Sequence, residues 1–186
     1  RFHAKAIDET TRKYMGTLWN TYAFFILYAE IDQFNPKEHP LDKAELTLMD
    51  RWILSRLNSL VREVDDDLNE YKIFEASRAM TDFVDDLSNW YVRRSRERFW
   101  GKGMAGDKEA AFATLYHVLE TMSRLTAPFT PFMAENMYRN LVCSVDKDAP
   151  ISVHMTDFPV CDETYISAEL EQHMRDPGSY THLTLP

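Results

Sequence analysis

The middle of the chain reads Asp82-Phe-Val-Asp-Asp-Leu-Ser-Asn-Trp-Tyr-Val-Arg-Arg-Ser-Arg-Glu-Arg-Phe-Trp100, and it carries the clearest helical pattern in the sequence. On a helical wheel of about 100° per residue, the apolar side chains here and just before it share one face: Met80, Phe83, Val84, Leu87 and Tyr91. Such a face has to be buried against other elements. The stretch therefore predicts one long helix, roughly 73–100, packed against further helices.

The same apolar period recurs in other parts of the chain. It predicts a first helix over roughly 4–32, a second over roughly 44–70, and a fourth that ends where Pro128 and Pro131 break the pattern. A short helix over 131–142 follows. The core residues predicted from these faces include Tyr22, Ile53, Phe83 and Leu119. Because the connections between the helices are short, the fold class is all-α, an antiparallel bundle of four to five helices.

The pattern changes after residue 143. Residues 1–143 are predicted to form the bundle, and 144–175 an exit segment and the start of a truncated C-terminal region. Within it, 151–155 alternates like a short strand, and 163–174 resembles a helix cut short. Residues 176–186 fit no regular element, so we expect a disordered or non-native tail. Since the first residue is Arg1 rather than Met, we expect the sequence to be part of a longer protein.

Composition excludes several classes of protein. The net charge of −9 argues against a protein that coats DNA or RNA with a basic surface, so any nucleic-acid contact must be local. No apolar run approaches the length of about 20 residues that spans a bilayer, so no membrane contact is expected. Two cysteines form neither a metal set nor a disulfide framework, and a cytoplasmic location is the simplest setting.

The face opposite the apolar one carries what we call the basic stripe: Asn89, Arg93, Arg96 and Trp100. An exposed row of guanidinium groups, an amide and an indole suits unpaired nucleic-acid bases, since rings stack on bases and arginines bind phosphates or base edges. A second interpretation is a solvated helix end whose arginines offset the helix dipole. That interpretation leaves Trp100 unexplained.

Motifs for self-contained chemistry are missing from the sequence. It has no glycine-rich phosphate loop, no His-Glu-x-x-His, no Cys-x-x-Cys and no Gly-x-Ser-x-Gly. The acidic run 65–67 is best explained as a solvated helix face, because adjacent carboxylates on a helix point in different directions. We therefore predict no catalytic residues and no metal site in this chain.

Four blocks of sequence carry a resemblance to a known family. They are Thr17-Leu-Trp-Asn-Thr-Tyr-Ala-Phe-Phe25, Met49-Asp-Arg-Trp-Ile-Leu-Ser-Arg-Leu57, the stretch 82–100 quoted above, and Ala127-Pro-Phe-Thr-Pro-Phe-Met-Ala-Glu135. In this order they closely resemble the anticodon-binding helical domain of isoleucyl-tRNA synthetases. The block at 127–135 is shared with valyl and leucyl enzymes, whereas Asn89-Trp-Tyr-Val-Arg-Arg-Ser-Arg96 is more specific to isoleucyl enzymes.

The resemblance implies a function and a set of partners. A catalytic domain and an editing domain would precede residue 1, and the complete enzyme would use ATP and Mg²⁺. This chain would hold no cofactor. It lacks both ATP-site signatures of the family, the His-Ile-Gly-His type and the Lys-Met-Ser-Lys-Ser type. Its partners would be the anticodon stem-loop of isoleucine tRNA and the rest of the synthetase chain. In the family, the first bundle helix and the segment after the third supply tRNA contacts. That assigns Asn20 to the tRNA site together with the basic stripe.

Two alternatives remain, and the other aromatic and basic residues have their own interpretations. The chain could be a non-catalytic scaffold that binds protein partners through an apolar patch, or the equivalent domain of a valyl or leucyl enzyme. The remaining tryptophans, Trp19, Trp52 and Trp90, are predicted to lie in or beside the core. Arg94 and Arg98 point toward the core side, where we expect them to pair with acids such as Asp85 or Asp86.

Overall fold

A computed structural model describes residues 8–9, 11–104 and 106–175 of the chain. Most of the described residues are helical and none of them lies in a strand, which confirms the all-α class. The predicted tail, 176–186, lies outside the described residues.

The first half of the bundle contains three long helices close to those predicted. A π-helical turn, Thr11–Gly16, leads into α1, Thr17–Asp32. The 3₁₀ turn Leu41–Lys43 precedes α2, Leu48–Asn69. The third long helix is continuous from 73 to 100 and consists of α3, Ile73–Asp85, a π-helical segment, Asp86–Val92, and α4, Arg93–Trp100.

The second half is shorter and ends in an extended segment. Helix α5 spans Asp107–Leu125. Helix α6 spans Pro131–Tyr138 and continues as a π-helical turn, Arg139–Cys143. After two 3₁₀ turns, Val153–Met155 and Glu163–Tyr165, the last described helix is α7, Ala168–Arg175.

The first and third long helices lie side by side and run in the same direction. At one end the Tyr14 hydroxyl lies 3.8 Å from the sulfur of Met80, and at the other the rings of Phe24 and Phe99 meet edge to face with centroids 5.2 Å apart. Helix α2 joins α3 through a tight turn at 70–72, so it runs the opposite way. All four predicted core residues are buried in the interior that these helices share, namely Tyr22, Ile53, Phe83 and Leu119.

A buried ionic network joins α2 to the third long helix. Asp50 completes a capping box with Thr47 at the start of α2, and its carboxylate accepts both terminal nitrogens of Arg98, at 2.8 and 2.7 Å. The Tyr91 hydroxyl donates to the same carboxylate at 2.7 Å. Burial alone would raise the pKa of Asp50, but the hydrogen bonds and charge of Arg98, with the Tyr91 and Thr47 hydroxyls, hold that pKa below its ordinary value.

The exit segment differs from the sequence prediction. The strand expected at 151–155 is wrong: the Glu135 carboxylate accepts the Ser152 hydroxyl and the Val153 backbone N–H, both at 2.9 Å. The Ser152 hydroxyl in turn accepts the backbone N–H of His154 at 3.3 Å. These local bonds satisfy the backbone in a 3₁₀ turn, so it needs no partner strand.

The chain then returns to α2. The buried carboxylate of Glu171 accepts the hydroxyls of Ser55 at 2.5 Å and Ser59 at 2.8 Å, and Arg56 lies 3.4 Å from its other oxygen. The helix predicted over 163–174 begins at Ala168 in the structure, after the 3₁₀ turn at 163–165. The exit segment thus lies against the bundle, and the boundary at 143 stays a prediction.

We expect burial to decide the cost of removing an aromatic ring from α3. Phe83 is fully buried, so Phe83→Ala should lower the free energy of unfolding by about 3–5 kcal/mol through lost burial and a residual cavity. Phe74, on the same helix, is 73% exposed, and Phe74→Ala should change it by less than about 0.5 kcal/mol. Urea unfolding followed by circular dichroism measures both. Equal losses in the two variants would contradict the helix orientation.

The Asp50 network makes stability depend on pH. Because the folded pKa of Asp50 lies below the unfolded value of about 3.9, its contribution is present at neutral pH and is lost as the pH falls through the folded pKa. Asp50→Asn should cost about 3–5 kcal/mol at pH 7, since Arg98 loses its buried partner. The difference in the free energy of unfolding between the variant and the parent, measured by urea denaturation, should become smaller below about pH 4. If the difference in the free energy of unfolding between Asp50→Asn and the parent does not change with pH, the charge of Asp50 does not contribute to stability.

Candidate nucleic-acid interface

The basic stripe is exposed along its whole length. Asn89, Arg93 and Arg96 are exposed, and the Trp100 side chain is 57% accessible. Arg98 and Phe99 turn inward on the same helix, one to Asp50 and the other to the core, which fixes the rotation of α4. Neither Arg93 nor Arg96 has a carboxylate partner among the described residues, so both guanidinium groups can bind an outside anion.

Trp100 is held in place from one edge. Its indole N–H donates to the Tyr28 hydroxyl at 2.9 Å, and the Tyr28 ring packs against Phe24 with centroids 4.9 Å apart. One edge of the large exposed ring is therefore anchored to α1. It lies beside the last turns of α1.

Lys108 ties together the three elements that meet at this end of the bundle. Its buried ammonium group bonds the carboxylate of Asp32 at 2.7 Å, at the end of α1, and the carbonyl of Gly101 at 2.6 Å, just after α4. Since Lys108 lies in the first turn of α5, one charge joins α1, α4 and α5. The position of Trp100 thus depends on contacts from several helices.

The two predicted amides have different surroundings. Asn20 is exposed on α1, on an outward ridge that it shares with Leu27 and Ile31 at helical spacing. The Asn89 amide donates to the Asp85 carboxylate at 2.6 Å, so its donor group is already engaged one turn back. The structure thus leaves Asn20 more accessible to a ligand than Asn89, and both remain predicted contacts.

The other tryptophans lie in or beside the core as predicted, whereas Arg94, expected on the core side, is exposed. Trp52 is buried, Trp90 is half-buried, and Trp19 is partly exposed beside the ring of Tyr22. Arg98 pairs with a bundle acid as expected, but the partner is Asp50, since Asp86 bonds Arg56 at 3.1 Å. The Arg94 guanidinium lies 4.6 Å from the centroid of the Trp90 ring.

Sequence reasoning missed a cavity of about 470 Å³ on the other flank of α1. We call it the Tyr22–Asn140 cavity, after the two residues at its polar side, whose hydroxyl oxygen and amide nitrogen are 2.7 Å apart. Its walls include Phe34, Tyr116 and Gln33. Because the lining comes from α1, the loop after it, α5 and the end of the α6 helix, no local pattern could have predicted it.

Two other kinds of site are absent from the described residues. No group of three or more histidine, cysteine or acidic side chains within 8–9, 11–104 and 106–175 is arranged to hold a metal ion. In the same part of the chain, no helix has the length and apolar character that crossing a membrane requires.

Several known proteins are similar to this chain over most of its length. The isoleucine–tRNA ligase of Clostridium novyi (strain NT) is 52% identical over 174 residues, which is 94% of this chain and 17% of that ligase. The isoleucine–tRNA ligase of Dehalococcoides mccartyi (strain CBDB1) is 51% identical over 175 residues, and that of Bacteroides fragilis (strain YCH46) is 47% identical over 186 residues. The chain covers 94% and 100% of its own length in these two matches and spans 17% and 16% of the relatives.

A family model points the same way. Residues 50–177 match the anticodon-binding domain of tRNA ligases. This match covers most of the chain, including α2, the basic stripe and the exit segment. The resemblance to isoleucyl enzymes stated from the sequence blocks is thereby confirmed. The chain belongs to the anticodon-binding domain family of tRNA ligases.

Proposed function

We propose that this chain binds the anticodon stem-loop of isoleucine tRNA and presents that tRNA to the catalytic part of an isoleucine–tRNA ligase. The observation that carries the proposal is the exposed basic stripe on an acidic chain: two arginines without a carboxylate partner among the described residues, and a tryptophan hydrogen-bonded to Tyr28. The names of its relatives support isoleucine as the amino acid. ATP and Mg²⁺ would act in the catalytic part, since neither ATP-site signature of the family occurs in this chain. The ligase would work in the cytoplasm.

The geometry supports different binding roles for the residues of the basic stripe. Arg93 and Arg96 neutralise phosphates of the loop, while an unpaired base stacks on the exposed face of Trp100. Because Tyr28 already holds the indole, little side-chain freedom is lost when RNA binds. The exposed amide of Asn20, on the neighbouring helix, bonds a base edge or ribose.

A second candidate function, binding of a protein, has its own observation. Tyr71, Ile73 and Phe74 are exposed at the turn between α2 and α3 and form an apolar group. This turn lies at the opposite end of the third long helix from Trp100. Protein contact there is compatible with RNA binding at the stripe, and the rest of the synthetase chain is a suitable partner.

The chain alone should not activate an amino acid. Because no ATP-site signature occurs in it, we expect no isoleucine-dependent exchange of pyrophosphate into ATP by the purified 186-residue chain. The complete ligase, assayed in parallel, is the positive control. Exchange by the chain alone would overturn its assignment as a non-catalytic module.

In the complete ligase, we expect the stripe to act on tRNA and not on the chemistry. Arg96→Ala should lower the salt dependence of tRNA binding by about one unit of log K against log salt, because one fewer counterion is released. Trp100→Ala should weaken binding by about 1–3 kcal/mol with little change in that slope, because it removes a stacking surface. Amino-acid activation should be unchanged in both. Titrations of tRNA at several salt concentrations separate the two effects.

Two control variants sharpen this test. Arg78→Ala removes an exposed arginine from the same long helix but far from the stripe, and it should alter the salt slope less than Arg96→Ala. Phe74→Ala removes a ring from the apolar group at the turn between α2 and α3. It should leave tRNA binding unchanged, because only the protein-binding candidate gives that group a contact. If Arg96→Ala and Trp100→Ala bind tRNA like the parent, the stripe is a solvated helix end.

A further inference from the structure

We propose that Lys108 is a positioning residue of the tRNA site: without touching RNA, its buried ammonium group sets the orientation in which Trp100 meets an unpaired base. The proposal rests on the proposed function and deepens it, since it adds a residue that lies outside the basic stripe. Three observations support it: the burial of the ammonium group, the place of its partners beside Trp100, and the position of Lys108 in its own helix.

The ammonium group of Lys108 is closed off from RNA. The residue is 6% exposed, and its donors bond the Asp32 carboxylate at 2.7 Å and the Gly101 carbonyl at 2.6 Å. The same nitrogen lies 5.7 Å from the centroid of the Phe112 ring. A cation that is paired and shielded in this way does not exchange counterions for phosphates. Any effect of Lys108 on RNA binding therefore passes through the residues that it holds.

The two partners of Lys108 lie on either side of the contact between Trp100 and Tyr28. Gly101 follows Trp100 directly, and Asp32 lies one helical turn after Tyr28 on the same face of α1. Tyr28 holds the edge of the indole, whereas Lys108 holds the backbone that carries it. With both contacts the ring is fixed to α1 at two points, and without Lys108 it is fixed at one.

The end of α4 needs a partner of this kind. The helix ends at Trp100, and Gly101 leaves the helical conformation with a ψ of 155°. Two more glycines with positive φ, Gly103 and Gly106, follow before α5 begins. The last carbonyl groups of a helix have no partner within it, and a cation placed there also offsets the helix dipole. Lys108 brings both a donor and a positive charge to this end.

The helix to which Lys108 belongs does not explain the residue. Lys108 lies in the first turn of α5, where a helix favours negative charge, and Asp107 and Glu109 provide that charge. A buried cation also costs free energy unless it is paired. An apolar side chain would therefore suit α5 better, so the lysine is accounted for by its contacts with Asp32 and Gly101.

The test measures how tightly the complete ligase binds an anticodon stem-loop hairpin at several salt concentrations. Trp100→Ala should weaken binding about 5- to 150-fold through loss of a stacking surface. Lys108→Met should weaken it at least about threefold, as expected for residues in one network, with the salt slope unchanged. In a Trp100→Ala ligase, adding Lys108→Met should have no further effect, because no ring is left to position. Lys72→Met removes an exposed, ion-paired lysine at the other end of the bundle and should change neither quantity.

A second variant separates positioning from stability. Lys108→Met leaves the Asp32 carboxylate without its partner and should lower the melting temperature of the ligase. Combining it with Asp32→Leu removes both charges and should recover most of that loss, since an apolar pair often replaces a buried ion pair without cost. Neither side chain then holds Gly101, so hairpin affinity should stay as low as in Lys108→Met. Recovery of affinity together with the melting temperature would show that Lys108 acts only through stability, and the proposal would be overturned.

The other outcomes separate this proposal from the proposed function. If Lys108→Met lowers the salt slope by about one unit, its ammonium contacts a phosphate, and if its effect adds to that of Trp100→Ala, it acts elsewhere. Either result overturns this proposal alone, as does a Lys108→Met ligase that binds like the parent. If Arg96→Ala weakens binding but Trp100→Ala does not, the ring makes no contact and again only this proposal fails. If neither change weakens binding, the proposed function fails and this proposal with it.

Discussion

The buried carboxylate of Asp50 is the constraint on which the exposed surface depends. A charge removed from water costs several kcal/mol unless it is paired and hydrogen-bonded, and here Arg98, Tyr91 and Thr47 supply the donors. Thr47 lies at the start of α2 itself, whereas Arg98 and Tyr91 reach the carboxylate only when the start of α2 and the third long helix meet in one register. With Arg98 turned inward, the opposite side of α4 faces solvent, and it carries Arg93, Arg96 and Trp100.

The helices could be predicted from the sequence because their signal is local. Apolar side chains three and four residues apart identify a buried face without knowledge of its partner, and Tyr22, Ile53, Phe83 and Leu119 all lie in the core. The pairing of Arg98 with Asp50 could not be predicted in the same way. The two residues are 48 positions apart, and their contact depends on the relative rotation of two helices.

Local competition between bonds explains where the predictions failed. Alternating residues at 151–155 suggested a strand, but a strand needs a neighbour, whereas the Glu135 carboxylate and the Ser152 hydroxyl satisfy the backbone where it lies. The π-helical segment at Asp86–Val92 was missed because widened turns are set by packing and leave no compositional mark. The Tyr22–Asn140 cavity was missed for a different reason, because it is formed by side chains more than 100 residues apart in the sequence.

In the proposed complex, the negative charge of the whole chain limits RNA contact to the basic stripe. With a net charge of −9, most of the surface repels an RNA backbone, and the exposed acids of α2, Glu63, Asp65 and Asp66, are part of that surface. Arg93 and Arg96 are exposed cations within it that have no carboxylate partner among the described residues, and in the proposed complex they would determine where and in which orientation a loop approaches. Because like charges also exclude other orientations, few cations suffice. Added salt would therefore weaken both the affinity of the complex and the choice of its orientation.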